Sequence, residues 1–90
     1  MRLDVFLKTS RLIKRRPLAK EFCDQGRVLT GGTPAKASRE VRPGDLVTLM
    51  LPKRKLVVEV LDTPAGNVPK AAAAALYRVV EESAVMEDEF

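Results

Sequence analysis

The chain has no histidine, no tryptophan and a single cysteine among its 90 residues. With Cys23 alone and no histidine, one chain offers neither a disulfide framework nor a Cys/His zinc site. Cys23 also lacks a histidine to activate it as a nucleophile. It shares an apolar helical face with Ala19 and Phe22, so it is expected to be a plain core residue. The lack of disulfides fits a reducing cytoplasm. Aromatic residues are few: Phe6, Phe22, Tyr77 and Phe90. Phe6 and Phe22 fall in apolar stripes, which argues against binding single strands by base stacking. No apolar run approaches the roughly 18–20 residues of a membrane span. Arg2, Asp4 and Lys8 interrupt the N-terminus, which has no signal-peptide core. No glycine-rich loop ends in Lys-Ser or Lys-Thr, so nucleotide hydrolysis is not indicated. No cofactor and no metal is expected.

What the chain has is positive charge, unevenly placed. Residues 1–55 hold 14 Lys and Arg against 5 Asp and Glu, whereas residues 56–90 hold 2 against 7. The net charge of +4 hides this asymmetry. Arg11, Lys14, Arg15 and Arg16 lie within six positions. A fold tolerates such repulsion where the charges are solvated or a polyanion neutralises them. Apolar residues at helical spacing flank the run and give it a fixed surface. A rigid basic surface on a small domain is the footprint of nucleic-acid binding. Arginine holds phosphate bidentately and stacks on bases, so Arg11 and Arg16 are better candidates for specific contacts than the lysines. Lys20 extends the same face by one turn. The acidic end, with Glu81, Glu82, Glu87, Asp88 and Glu89, would be repelled by phosphate and is expected to fray from Glu82 to Phe90.

Ninety residues make one domain near the lower limit for a self-sufficient core. Leu3, Phe6 and Leu7 place a helix over Arg2 to Lys8. Asp4 falls in its first turn, where a carboxylate is favoured, and it is a candidate to orient Arg2 or Arg16. A second helix runs from Pro17 to Gln25, with proline at its start and Gly26 as its stop. Leu18, Ala19, Phe22 and Cys23 form its apolar stripe. Val28–Thr30 is a strand candidate, Gly31-Gly32 a hairpin turn, and Pro34 marks an edge. Residues 36–41 are irregular, or a single turn that carries Lys36 and Arg39. Arg42-Pro43-Gly44-Asp45 is a turn into the strand Leu46–Leu51. Lys53, Arg54 and Lys55 are solvated turn charge before the strand Lys55–Val60. A loop over 62–69 leads to an Ala-rich helix over Lys70–Leu76. Tyr77–Glu81 either continues that helix or adds a strand.

Two helices, a short strand with a glycine turn, and a Pro-Gly-Asp turn into a hairpin: this order resembles the small RNA-binding domain named after ribosomal small-subunit protein S-four. The carrying residues are Arg2-Leu3-Asp4 with Phe6-Leu7, Arg11-Leu12, Lys14-Arg15-Arg16 and Ala19. They continue with Gly26-Arg27-Val28, Gly32, Lys36-Ala37-Ser38, Val41 and Pro43-Gly44-Asp45. Within that family the chain is similar to the short, stand-alone bacterial ribosome quality-control members. The resemblance carries over in the opening Met1-Arg2-Leu3-Asp4, the run Ser10 to Arg16, the length and the Tyr77 segment.

The resemblance implies an α+β fold: two short N-terminal helices packed on a small, mostly antiparallel sheet, with a C-terminal helix or strand extension. It implies an RNA-binding domain over 1–60. Residues 61–90 would supply a loop, the Ala-rich helix and the acidic tail, packing on or extending that domain. The implied partners are large-subunit rRNA and peptidyl-tRNA on stalled large subunits, with an RqcH-type alanine-tailing factor beside them. No membrane partner is expected, and the chain is expected to act as a monomer in the cytoplasm. The candidate RNA-binding residues are Arg2, Lys8, Arg11, Lys14, Arg15, Arg16, Lys20, Lys36 and Arg39. Two other readings stay open: a fifteen-kilodalton ribosome-associated heat-shock protein, whose basic tail is longer, and a small helix-turn-helix DNA-binding protein. Catalysis is not expected, since no second domain supplies paired catalytic groups.

If phosphate contacts dominate, affinity for structured RNA falls steeply with salt. Roughly four to six neutralised phosphates imply a log–log slope of roughly −3 to −5. A slope near zero in a salt titration would remove the basic-face reading.

Overall fold

The computed structural model describes residues 1–65 and 68–84. Two helices come first, α1 over Leu3–Thr9 and α2 over Arg16–Asp24. The strands β1 (Val28–Thr30), β2 (Thr33–Pro34), β3 (Leu46–Leu51) and β4 (Arg54–Val60) follow. A short α3 (Lys70–Ala73) tightens into a 3-10 turn over Ala74–Leu76 and leads to β5 (Tyr77–Ala84). The strands form one antiparallel sheet in the order β2-β1-β3-β4-β5. This is the expected α+β architecture.

The local chemistry explains most of the boundaries. Pro17 enters the first turn of α2, where a missing N–H costs no helical bond. Gly26, at φ 74°, ends it. There the Gly26 N–H donates to the Cys23 carbonyl at 3.0 Å and the Arg27 N–H to Phe22 at 2.9 Å. These two bonds satisfy carbonyls the helix would otherwise leave open. Glycines at φ 59° and 84° make the Gly31-Gly32 turn between β1 and β2. Pro34 sits on the sheet's edge strand, where its missing donor breaks no ladder. In the turn before β3, the Arg42 N–H donates to Asp45 Oδ2 at 2.9 Å, and the Asp45 N–H returns to the Arg42 carbonyl at 3.0 Å.

The core is the space between the two helices and one face of the sheet. Leu3, Phe6, Leu7, Val28, Val41, Val47, Leu49, Val58 and Val60 are fully buried in it. Strand alternation delivers β3 and β4 to this layer, with Val47 and Leu49 facing in from one and Leu56, Val58 and Val60 from the other. Ala19 and Cys23 carry α2 onto the core. Ile13, buried in the α1–α2 connection, donates its N–H to the Leu7 carbonyl at 3.1 Å and pins that connection down.

Two expectations change and one open choice is settled. Leu18 does not join the apolar stripe of α2; it is 40% exposed. At about 100° per residue, Phe22 lies about 60° round the helix from Ala19 and Leu18 about 100°. Burial fades along that arc, and Phe22 is only half-buried. Tyr77–Glu81 resolves as strand, since β5 pairs along β4 from Val60↔Tyr77 to Arg54↔Ala84. A bulge between Val57 and Val58 interrupts the register. The acidic segment is therefore not frayed from Glu82: Glu82, Ser83 and Ala84 lie in β5, and residues 85–90 fall outside the described ones.

The same pairing revises the hairpin tip. Arg54 is not free turn charge. It meets Glu82 at 2.7 Å, and Lys55 meets Glu81 at 3.7 Å. Both pairs are exposed, so they add little stability. They do match two of the three cations of the β3–β4 tip at the sheet edge formed by β5, whereas α2 packs beside β1 on the other side of β3. The charge asymmetry of the sequence becomes a spatial one.

Candidate nucleic-acid interface

Asp4 organises the basic surface. It is 2% exposed, in the first turn of α1. Its Oδ1 accepts the Val5 N–H at 2.8 Å and Arg2 Nε at 3.2 Å. Its Oδ2 accepts Arg2 Nη2 at 3.3 Å and Arg16 Nε at 3.1 Å. One buried carboxylate thus draws together two arginines 14 positions apart in sequence. Without it, two neighbouring guanidinium groups would repel. Both arginine side chains keep about half their surface in solvent, 48% and 53%. Arg2 engages Asp4 through a fork. Arg16 gives it only Nε, which leaves its terminal nitrogens facing outward with no protein acceptor among the described residues.

Burial pushes the Asp4 carboxyl upward, but the hydrogen bonds from Arg16 and then Arg2, with their charges, outweigh it and hold the group below its ordinary value of 3.8. Asp4 is therefore an anion throughout the neutral range. The same environment acts oppositely on Cys23. Burial, then the charges of Asp4 and Asp24, push its thiol up to about 11. Cys23 is a protonated, buried thiol at neutral pH, and a poor nucleophile.

Arg2, Arg16, Pro17 and Lys20 line a shallow depression of about 340 Å³ with Asp4 at its base. It opens at the start of α2, whose first turn has no side-chain cap. The uncapped N–H groups and the helix dipole add to the attraction for an anion. Arg2, Arg16 and Lys20 are thus brought into one site.

The other candidates are all exposed and do not line it. Lys8 is in the last turn of α1. Arg11, Lys14 and Arg15 stand on the connection that Ile13 anchors. Arg11 adopts φ 63°, a left-handed conformation that costs a residue with a Cβ about 1–2 kcal/mol. Its N–H donates to the Lys8 carbonyl at 3.1 Å, so it reverses the chain after α1 as a glycine commonly would.

Lys36 and Arg39 lie on the loop that runs beside the first turn of α1. The Leu3 N–H donates to the Arg39 carbonyl at 2.7 Å, the Asp4 N–H to Ala37 at 3.1 Å, and the Val41 N–H to Met1 at 2.9 Å. The first two use N–H groups that the start of α1 leaves open. They also fix the loop against the Asp4 cluster. Arg39 borders a second depression, of about 260 Å³, shared with Thr30, Gly31, Gly44, Asp45 and Leu46. In the sequence Gly31 and Gly44 belong to two separate turns. The two turns meet only because β1 pairs with β3.

An S4 domain model matches residues 1–47. The chain is 48% identical to the RQC P-site tRNA stabilizing factor of Bacillus subtilis over 91% of this chain and 94% of that protein. It is 44% identical to the protein of the same name from Halalkalibacterium halodurans, over 99% and 100% of the two chains. A third of that name, from Helicobacter pylori, is 44% identical over 78% and 84%. Among solved structures, Heat Shock Protein 15 of Vibrio cholerae, described as trimeric, superposes with a TM-score of 0.80 at 28% identity, covering 89% of this chain and 81% of that one. The fold and the basic helical face are those of an S4-domain protein. The chain belongs, within that family, with the RQC P-site tRNA stabilizing factors.

The Asp4 cluster yields a stability prediction. Asp4→Asn should cost about 1–3 kcal/mol at neutral pH, the range for charge-assisted bonds whose arginines can return to water. A carboxylate with a lowered folded pKa stabilises the fold above its unfolded value and loses that effect as pH falls through the folded one. The gap between wild type and Asp4→Asn in thermal melts should therefore close at acid pH, below 3.8. A gap that stays constant with pH would mean the carboxylate's charge is not what Arg2 and Arg16 require.

Proposed function

We propose that this protein binds large-subunit rRNA and peptidyl-tRNA on stalled large ribosomal subunits, and that it supports C-terminal alanine tailing of the nascent chain beside an RqcH-type factor. The observation that carries the reading is the depression where Arg2, Arg16 and Lys20 converge over a buried carboxylate at an uncapped helix start. Such a site suits a backbone phosphate of folded RNA. The printed names of the relatives, which specify a P-site tRNA, supply the setting. Holding a tRNA in place demands positioned phosphate contacts more than base readout, and a fixed basic face provides them.

The remaining candidates extend that footprint. Lys8, Arg11, Lys14 and Arg15 would track the backbone on one side of the depression, and Lys36 and Arg39 on the other. Two contacts to different RNA elements, rRNA on one flank and tRNA on the other, fit this arrangement. The protein acts by binding, as a monomer in the cytoplasm where the ribosomes are. The relatives are named as stabilizing factors rather than enzymes. The likeness to Heat Shock Protein 15 supports a shared fold. Identity of up to 48% over nearly the whole chain favours the quality-control reading over the heat-shock one. A helix-turn-helix reading finds no support in two helices whose shared face is packed on a five-stranded sheet.

Arg16→Ala should weaken association with large subunits more than Arg54→Ala, although each removes one guanidinium. The outward nitrogens of Arg16 suit bidentate phosphate contact, which contributes about 1.5–3 kcal/mol. Arg54 is already engaged with Glu82 at an exposed edge, and its loss should cost well under about 1 kcal/mol of binding. Co-sedimentation of the folded variants at fixed salt measures this. Equal weakening would mean that net charge alone drives association.

A further inference from the structure

Arg27 is an arginine that the basic face leaves out. It lies between the end of α2 and the start of β1, and it is exposed. Two backbone bonds fix it there. Its N–H donates to the Phe22 carbonyl at 2.9 Å, and its carbonyl accepts the Met50 N–H at 2.8 Å. Its guanidinium carbon sits over the Phe22 ring, 5.7 Å from the centroid. A guanidinium at that range is attracted to the face of the ring. Phe22 is half-buried against the core, so the ring is a firm support. A cation at a helix end also suits the dipole, which accounts for the charge but not for the free edge of the group. None of its five N–H donors meets a protein acceptor among the described residues. The nearest acids in sequence do not take them: Glu21 accepts Gln25 Nε2 at 3.5 Å, and Asp24 pairs with no cation among the described residues.

We infer that Arg27 holds a backbone phosphate of the bound RNA, outside the footprint at Arg2, Arg16 and Lys20. The ring takes one face of the guanidinium and leaves its N–H edge open. The fork is therefore aimed before RNA arrives, and little side-chain freedom is lost on binding. The nine residues of α2 separate Arg27 from Arg16 by about 13 Å. At about 100° per residue, Lys20 and Phe22 look out from opposite flanks of the helix. The outward side between those flanks carries Glu21 and Asp24, both exposed, which repel phosphate. The phosphate at Arg27 is thus a separate one from that in the depression. The inference rests on the RNA-binding reading and adds to it a contact that can be scored on its own.

The test is the dissociation constant of the full chain for large ribosomal subunits over a series of salt concentrations, with a thermal melt of each variant. Arg27→Ala should weaken binding about tenfold at low salt. It should also make the log–log slope shallower by one phosphate contact, roughly 0.7–0.9. Arg27→Lys keeps the charge and loses the stacked fork, so it should lose about threefold and hold the wild-type slope. Phe22→Leu removes the ring beneath an intact Arg27 and should behave the same way. Arg78→Ala removes a guanidinium that is paired with Glu59 on β5, and it should leave the slope unchanged. An unchanged slope for Arg27→Ala would overturn the inference at any affinity, because a bond to a protein carboxylate or a purely structural role releases no counterions from RNA. Wild-type affinity for Arg27→Lys or Phe22→Leu would overturn it as well, since the stack would then be idle. An Arg27→Ala chain that no longer melts cooperatively would assign the residue to the fold instead. If Arg16→Ala weakens binding and Arg27→Ala does not, the RNA-binding reading stands without this contact. If neither does, both fall.

Discussion

A carboxylate on an RNA-facing surface opposes its purpose unless it is buried and spent on cations. Asp4 meets both conditions. Its burial is tolerable because four hydrogen bonds, three from guanidinium groups, occupy its lone pairs. Its charge sets the first turn of α1 against the first turn of α2 and aims Arg16 outward. The rest of the interface hangs on that fixed corner. The loop with Lys36 and Arg39 is hydrogen-bonded to the same turn of α1, and the connection with Arg11, Lys14 and Arg15 spans the two helices that Asp4 joins. The arrangement exchanges some net charge for orientation.

The opposite edge of the sheet shows a different treatment of charge. There Arg54 and Lys55 of the β3–β4 tip are matched by Glu82 and Glu81 of β5, and Glu59 of β4 meets Arg78 of β5 at 2.6 Å. Pairs on an exposed surface contribute little stability, so their effect is on the field around the molecule. They lower the net positive charge at that edge, whereas the depression formed by Arg2, Arg16 and Lys20 sets only the buried Asp4 against its three cations.

How much of this was legible in the sequence depended on range. Pro17, Gly26, Gly31-Gly32 and Arg42-Pro43-Gly44-Asp45 act on their own backbone, and each marks its boundary to within a residue or two. The pairing of Asp4 with Arg2 or Arg16 was readable because an acid among so many bases demands a local reason. β5 was not readable, since Tyr77–Glu81 suits helix or strand and the decision lies with β4, well upstream. The partners of Arg54 and Lys55 were hidden for the same cause. Leu18 misled because its spacing suits a stripe wider than the face α2 buries. The depression shared by Thr30 and Asp45 left no sequence signal at all. A threonine in a short strand and an aspartate in a turn look ordinary until β1 and β3 pair and bring them to one cavity.

In the proposed function, oriented guanidinium groups, rather than positive charge as such, make the interface. Arg16→Lys tests it most directly, because lysine keeps the charge and loses the planar fork that lets one nitrogen hold Asp4 while others meet phosphate. The measurement is the dissociation constant for large ribosomal subunits at fixed salt, with folding checked by thermal melts. The account predicts a loss of roughly tenfold or more, close to that of Arg16→Ala. Affinity for the lysine variant within about twofold of wild type would contradict it, since charge alone would then suffice.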